Sequence, residues 1–312
     1  MDSILQYNQY RKEQISYADS QFPPLFLNDH LLCISLILNT DGVAAFKSSG
    51  SALWPVWIAV GNLPPKLRFK YSNLILAALW SSTVKPNWDE YLVSVVQQLS
   101  ILKSTSLPCG SFSLVARTYC LVADMPAKAS ILNMKQFNGY FGCNLCESKG
   151  EHLENRHIYP FGEIKMRTIQ SYKECLSVPG NLGVKGKSIL DPLNMNIPLS
   201  APIDYMHQVL LGVVRTVCHI HIKSFNNCER NLIDQLISSL SFPHDFNRVT
   251  RRTSTVKHWK AVEFKIWLLY VAPVILKSVL NADYYYYFLL LSFSIRILCS
   301  ESISTSDLSN VI

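Results

Sequence analysis

Residues Leu31 to Leu38 (LLCISLIL) form a nearly unbroken apolar run that stops at Asn39-Thr40-Asp41-Gly42. A short apolar run closed by turn-forming residues reads as a buried strand, so the chain is constrained to build a sheet around it. Leu53 to Val60 and Asn73 to Trp80 supply a second and a third strand, with Gly61 and Pro64-Pro65 punctuating the connection. Trp88 to Leu102 is predicted to be a helix, because Tyr91, Leu92, Val95, Val96, Leu99 and Leu102 recur on one face. Phe112 to Val122 is apolar again and ends at Ala123-Asp124, after which Met125-Pro126 opens a helix expected to run to about Phe137. Two carboxylates, Asp41 and Asp124, are thereby expected at the ends of two strands.

Further along, Gly139 to Pro160 has the composition of a loop, and Tyr172 to Pro202, rich in Gly, Pro, Ser and Asn, reads as a long connection. Beyond Pro202 the pattern is helical only, over roughly Ile203–Lys223, Glu229–Leu240, Val256–Leu280 and Tyr284–Ser300. The expected organisation is an irregular lead-in over 1–30, an α/β core over 31–142, a loop and connection over 143–202, and an all-helical region over 203–312. The fold class is α/β with a mixed sheet, and strand-end acids in such a core border a crevice where ligands and metals bind.

With 49% apolar and 16% charged residues, the 312-residue chain buries a sizeable core and is excluded from the disordered class. The formal charge of +7 has the sign expected of a protein that meets phosphate backbones. Nine cysteines behind a polar N-terminus without a leader-like apolar run point to a reducing compartment, where thiols bind metal or pack in cores. The most apolar stretch, Ile266 to Cys299, is interrupted by Lys277, Asp283 and Arg296, so no membrane association is expected.

Asp41 and Asp124 have the chemistry to hold hard cations such as Mg²⁺ or Mn²⁺. Each also has a plain structural reading: Asp before Gly suits a turn, and Asp before Met-Pro suits a helix cap. Cys143 and Cys146 have the Cys-x-x-Cys spacing of half a tetrahedral Zn²⁺ site, with His152 and His157 near enough in sequence to supply nitrogen. A redox pair is the alternative. Asp204-Tyr205-Met206-His207 opens a helix, where the aspartate suits an N-cap and the histidine follows one turn later. Arg248, Arg251, Arg252, Lys257, His258 and Lys260, with Trp259 among them, form the densest basic cluster, readable as a DNA-phosphate surface or as a solvated loop.

An ordered set of blocks now carries a resemblance. Asn39-Thr40-Asp41-Gly42-Val43, Phe46-Lys47-Ser48-Ser49, Leu53-Trp54-Pro55, Leu63-Pro64-Pro65-Lys66-Leu67-Arg68-Phe69-Lys70 and Lys85-Pro86-Asn87 come first. Asp124-Met125-Pro126-Ala127-Lys128-Ala129, Leu132 to Tyr140, Gly142-Cys143-Asn144-Leu145-Cys146, Ile203 to His207, Lys257-His258-Trp259-Lys260-Ala261 and Leu298 to Ser304 follow. From about residue 31 onward this resembles the transposase-domain proteins of CACTA (En/Spm) elements. The resemblance implies an RNase H-like core whose DDE/D acids begin with Asp41 and Asp124, a site role for Asp204 and His207, and a helical insertion before the third acid. The Cys-x-x-Cys pair also resembles the one that follows the second acid in Transib and V(D)J recombinases. The same resemblance implies DNA as partner, both transposon ends and target, with Mg²⁺ or Mn²⁺ as cofactor, a nuclear location and a homo-oligomer. Glu301 sits in a setting that matches the insertion and not the third acid, so the core is expected to be incomplete and inactive alone. A non-catalytic nuclear DNA- or protein-binding protein derived from a transposase is the competing expectation.

Overall fold

The computed structural model describes residues 26–28, 30–44, 50–160, 162–178, 180–246, 248–300, 303–304 and 306–307. Most of the expected lead-in, the Phe46–Ser49 block and Glu301 lie outside these residues. The chain divides into two compact units, Met1–Ile203 and Asp204–Ile312.

The first unit is a mixed α/β layer. Its strands are β1 (Phe26–Asn28), β2 (Leu31–Thr40), β3 (Val43–Ala44), β4 (Ala52–Val60), β5 (Leu74–Ser82), β6 (Leu107–Cys109) and β7 (Phe112–Ala123). β2 is central: it pairs antiparallel with β4 and parallel with β7, while β5 adds antiparallel to β4 and β6 to β7. That position explains the apolar run, since Leu32, Cys33, Leu36 and Leu38 are all buried. Helix α1 (Trp88–Ser104) is capped by Asn87, whose side chain accepts from the Asp89 N–H, and carries Asp89 and Glu90 in its first turn. Its buried stripe of Trp88, Leu92, Val95, Val96 and Leu99 packs in one cluster with Leu36, Leu38, Val56, Ile58 and Leu121. Each such aliphatic side chain contributes about 1.5–3 kcal/mol when fully buried.

Two expectations need correction in this unit. Helix α2 (Met125–Ile131) ends well before Phe137, because Asn133 adopts a left-handed conformation (φ 51°) and ties its amide to the Lys187 carbonyl. The 172–202 stretch is not a loose connection: helix α3 (Ile169–Leu176) leads into it, and Val184, Leu190, Leu193, Ile197 and Ala201 are buried in the same core. The Gly139–Pro160 stretch also contains a hairpin, β8 (Glu151–Leu153) with β9 (Arg156–Ile158), turned by Glu154 and Asn155, both at positive φ.

The second unit is helical. A wide π-type helix (Tyr205–Val214) continues into α4 (Arg215–Ser224), followed by α5 (Asn227–Ser239), α6 (Ala261–Ile266), π-type turns (Trp267–Val271), α7 (Ala272–Ile275) and α8 (Ala282–Leu298). The single long helix expected over Val256–Leu280 is broken into pieces. The turn Thr253–His258 precedes α6, and Pro273 interrupts the ladder after Val271. Its core centres on Phe264, Trp267, Leu268, Val271 and Ala272, each with no measurable exposure. Among the described residues no helix is long and apolar enough to cross a membrane.

Candidate functional site

β2 and β7 run in parallel and both end at an aspartate. Their register shifts once: Leu36 pairs with Thr118, but Ile37 pairs with Cys120, so Tyr119 is the extra residue of a bulge in β7. Beyond the bulge the register holds to Thr40 opposite Ala123, and the next residues, Asp41 and Asp124, leave the sheet side by side. Were Tyr119 paired in register with Ile37 instead of bulged, Asp41 would stand level with Ala123. The Asn39 side chain clamps the two strand ends by donating to the Val122 carbonyl at 3.1 Å.

Asp41 and Asp124 line one open hollow of about 390 Å³, together with Gly42, Ala44, Gly50, Ser51, Ala52 and Trp54. Both acids are half-buried. Asp124 is also the N-cap of α2, one carboxylate oxygen accepting the Ala127 N–H at 2.8 Å. Its structural reading and its place beside Asp41 therefore hold together. The Trp54 ring forms the floor: a Cβ at Gly42 would come within 2.6 Å of it, so only glycine fits after Asp41. Trp54 is itself held edge-on by Trp88 at 5.6 Å, and its carbonyl accepts the Tyr91 hydroxyl. Lys128, one turn into α2, is buried and donates to the Pro202 carbonyl, pinning the connection beneath the helix.

Cys143 and Cys146 lie close together on a turn held by the buried Arg167, whose guanidinium donates to the carbonyls of Cys143, Cys146 and Leu182. Burial pushes the Cys146 thiol up, but its hydrogen bonding with Ser148 and Cys143 and the Arg167 charge outweigh it and hold it below the ordinary thiol range. Burial raises Cys143 instead. His157 sits on β9 against Tyr140 and Tyr159, its Nε2 buried without a hydrogen-bond partner, while His152 Nδ1 contacts the Arg156 carbonyl. Among the described residues no group of three His, Cys, Asp or Glu side chains is placed to hold a metal.

At the start of the second unit, Asp204 caps the π-type helix through one oxygen, accepting from Met206 and His207 N–H groups, and holds His207 Nδ1 with the other at 2.6 Å. This fixes the imidazole ring with Nδ1 toward the carboxylate. Within the basic cluster, Arg248, Arg252, Lys257 and Lys260 are exposed. Arg251 is bound at both nitrogens by the fully buried Glu263 (2.5 and 3.1 Å) and donates to the His258 carbonyl, so its charge is internally matched. Trp259 is buried against Phe264 and Trp267 and presents no face for a base.

Residues 16–165 match the transposase family tnp2. That segment contains both strand-end acids and the Cys-x-x-Cys turn, and the match supports a transposase-family protein. No curated protein matches the chain. The bulge at Tyr119, the Trp54 floor under Gly42, the Arg167 tie and the Arg251–Glu263 pair were not legible from sequence spacing. Each joins residues whose separation carries no local signal.

Proposed function

We propose that the chain derives from a DDE/D-type DNA transposase of the CACTA group, with Asp41 and Asp124 as the first two acids of an RNase H-like core. The observation that carries the reading is the pair of carboxylates leaving adjacent parallel strands into one hollow. Three antiparallel strands, a helix, and a fourth strand parallel to the first are the order that an RNase H-like core requires, and the tnp2 match spans that part of the chain.

The donors present suit a hard divalent cation: two half-buried carboxylates lining one hollow, with one Asp124 oxygen engaged at the helix. When bound there, Mg²⁺ or Mn²⁺ supplies Lewis-acid activation of an attacking oxygen and charge neutralisation at a phosphodiester. The residues themselves orient that chemistry. The Tyr119 bulge levels the acids, Asn39 locks their strands, and Trp54 keeps the backbone at Gly42 close. Within the second unit, His207, held by Asp204, is proposed as a positioned proton carrier. Zinc at Cys143 and Cys146, with His157 as a further candidate ligand, is proposed as a structural ion. DNA is the partner of such a protein, and the nucleus its place of action.

The test is divalent-dependent nicking of DNA by the full chain, together with Mn²⁺ binding. Asp41→Asn and Asp124→Asn are each expected to lower Mn²⁺ affinity at least tenfold and to abolish any nicking. Wild-type Mn²⁺ affinity in both variants would remove the pair from a metal site. A second reading, a non-catalytic DNA-binding descendant, is favoured by the capping duty of Asp124 and by the lack of a third gathered carboxylate among the described residues. It predicts DNA binding without nicking.

A further inference from the structure

The second unit holds a larger hollow than the one at the acids, about 770 Å³ and open, between α4, α5 and the Thr253–His258 turn. Its basic side chains come from three places in the sequence: His219 and Lys223 on α4, Arg230 on α5 and Lys257 on the turn. Arg230 is fixed there, donating to the Ile222 and Lys223 carbonyls at the end of α4. The carboxylate in the wall, Asp234, accepts the Thr253 N–H at 2.7 Å and so anchors the turn. Lys223 and Lys257 are exposed, and neither is paired with a carboxylate in a described ion pair. His219 lines the hollow with a buried Nε2 that has no hydrogen-bond partner.

Pockets for small organic ligands are enclosed and mostly apolar. This one is open and rimmed by cations and polar side chains, the lining that suits a phosphodiester chain, whose contacts come from Lys, Arg and neutral donors. We propose that this groove holds the sugar–phosphate backbone of DNA through Lys223 and Lys257, with Arg230 as a fixed charge between them. The inference rests on the transposase reading for the identity of the polyanion. It joins Lys257, from the run of basic residues at 248–260, to Lys223 and Arg230 in a surface assembled across three elements. Exposed Arg252 and Lys260, on the same segment as Lys257, extend the positive surface beyond the groove.

The experiment is fluorescence anisotropy of the full chain with a labelled DNA duplex, repeated over a salt series. Each phosphate contact adds about 0.9 to the slope of log affinity against log salt. Lys223→Gln and Lys257→Gln are each expected to reduce the slope by about one, and the double variant by about two, with a loss of affinity on the order of tenfold or more at low salt. Lys277→Gln, an exposed lysine outside the groove, is expected to bind as wild type does. Matching thermal unfolding of the variants and the wild type shows that folding is intact. An unchanged slope in the double variant, with the wild type still binding DNA, overturns the groove and leaves the transposase reading standing. Failure of the wild type to bind DNA at any salt concentration overturns both.

Discussion

Gly42 shows how tightly the acid pair is set at the scale of one residue. Its missing Cβ leaves room for the Trp54 ring, which Trp88 meets edge-on while the Tyr91 hydroxyl holds the Trp54 carbonyl. Gly42→Ala must displace either that ring or the Asp41 turn. It is expected to lower the unfolding temperature by several degrees and to weaken Mn²⁺ binding, measured by thermal denaturation with and without the ion. His221 offers a second single-residue test. It is buried among Phe225 and Phe288, its Nδ1 has no partner, and burial holds its imidazole below the ordinary value of 6.5. The unfolded chain therefore takes up a proton that the folded chain refuses, so stability falls as pH drops from about 6.5 toward the lowered folded value. His221→Leu is expected to flatten stability over that window in denaturant titrations. A wild-type slope in the variant would assign the sensitivity elsewhere. Sequence showed a histidine in an apolar helix, but its burial came from α8, which lies far away in the chain.

At the scale of elements, Asp124 belongs both to the end of β7 and to the start of α2. The two duties separate by substitution. Asparagine caps a helix about as well as aspartate, so Asp124→Asn is expected to keep stability within a few tenths of a kcal/mol while losing metal affinity. Asp124→Ala loses the cap as well and is expected to cost about 1 kcal/mol, read by chemical denaturation. Equal destabilisation by both would mean that the carboxylate charge, not the cap, holds α2. Element existence was readable where periodicity was strong: β2, β4, β5, α1 and β7 each lie within two residues of the sequence reading. The failures have a common cause. The early end of α2 depends on a left-handed Asn133 tied to Lys187, and the packing of 184–201 depends on a core already built by other strands. Local composition carries neither fact.

For the whole molecule, the second unit is stabilised by an ion pair between the buried Glu263 and Arg251, a residue of the basic cluster. Burial pushes the Glu263 carboxyl up, but the Arg251 guanidinium and the Lys260 N–H outweigh it and hold it below the ordinary 4.5. A carboxyl with a depressed folded pKa contributes stability above its unfolded value and loses it as pH falls through the folded one. Acid is therefore expected to weaken the second unit in two stages, through His221 below about 6.5 and through Glu263 below about 4.5. Arg251→Ala leaves Glu263 buried without its partner and is expected to destabilise the second unit without the change in DNA salt slope that a phosphate contact would give.

The sequence by itself determined the four long strands, the principal helix, and the placing of Asp41 and Asp124 at strand ends, because hydrophobic periodicity and turn residues act locally. Only the tertiary structure decided that the acids stand level, that Arg251 is tied to the buried Glu263, and that Lys223 and Lys257 share a groove. Those outcomes rest on a bulge, a buried counter-charge and the packing of separate helices. They are set by which distant surfaces must be covered, and no window along the chain contains that information.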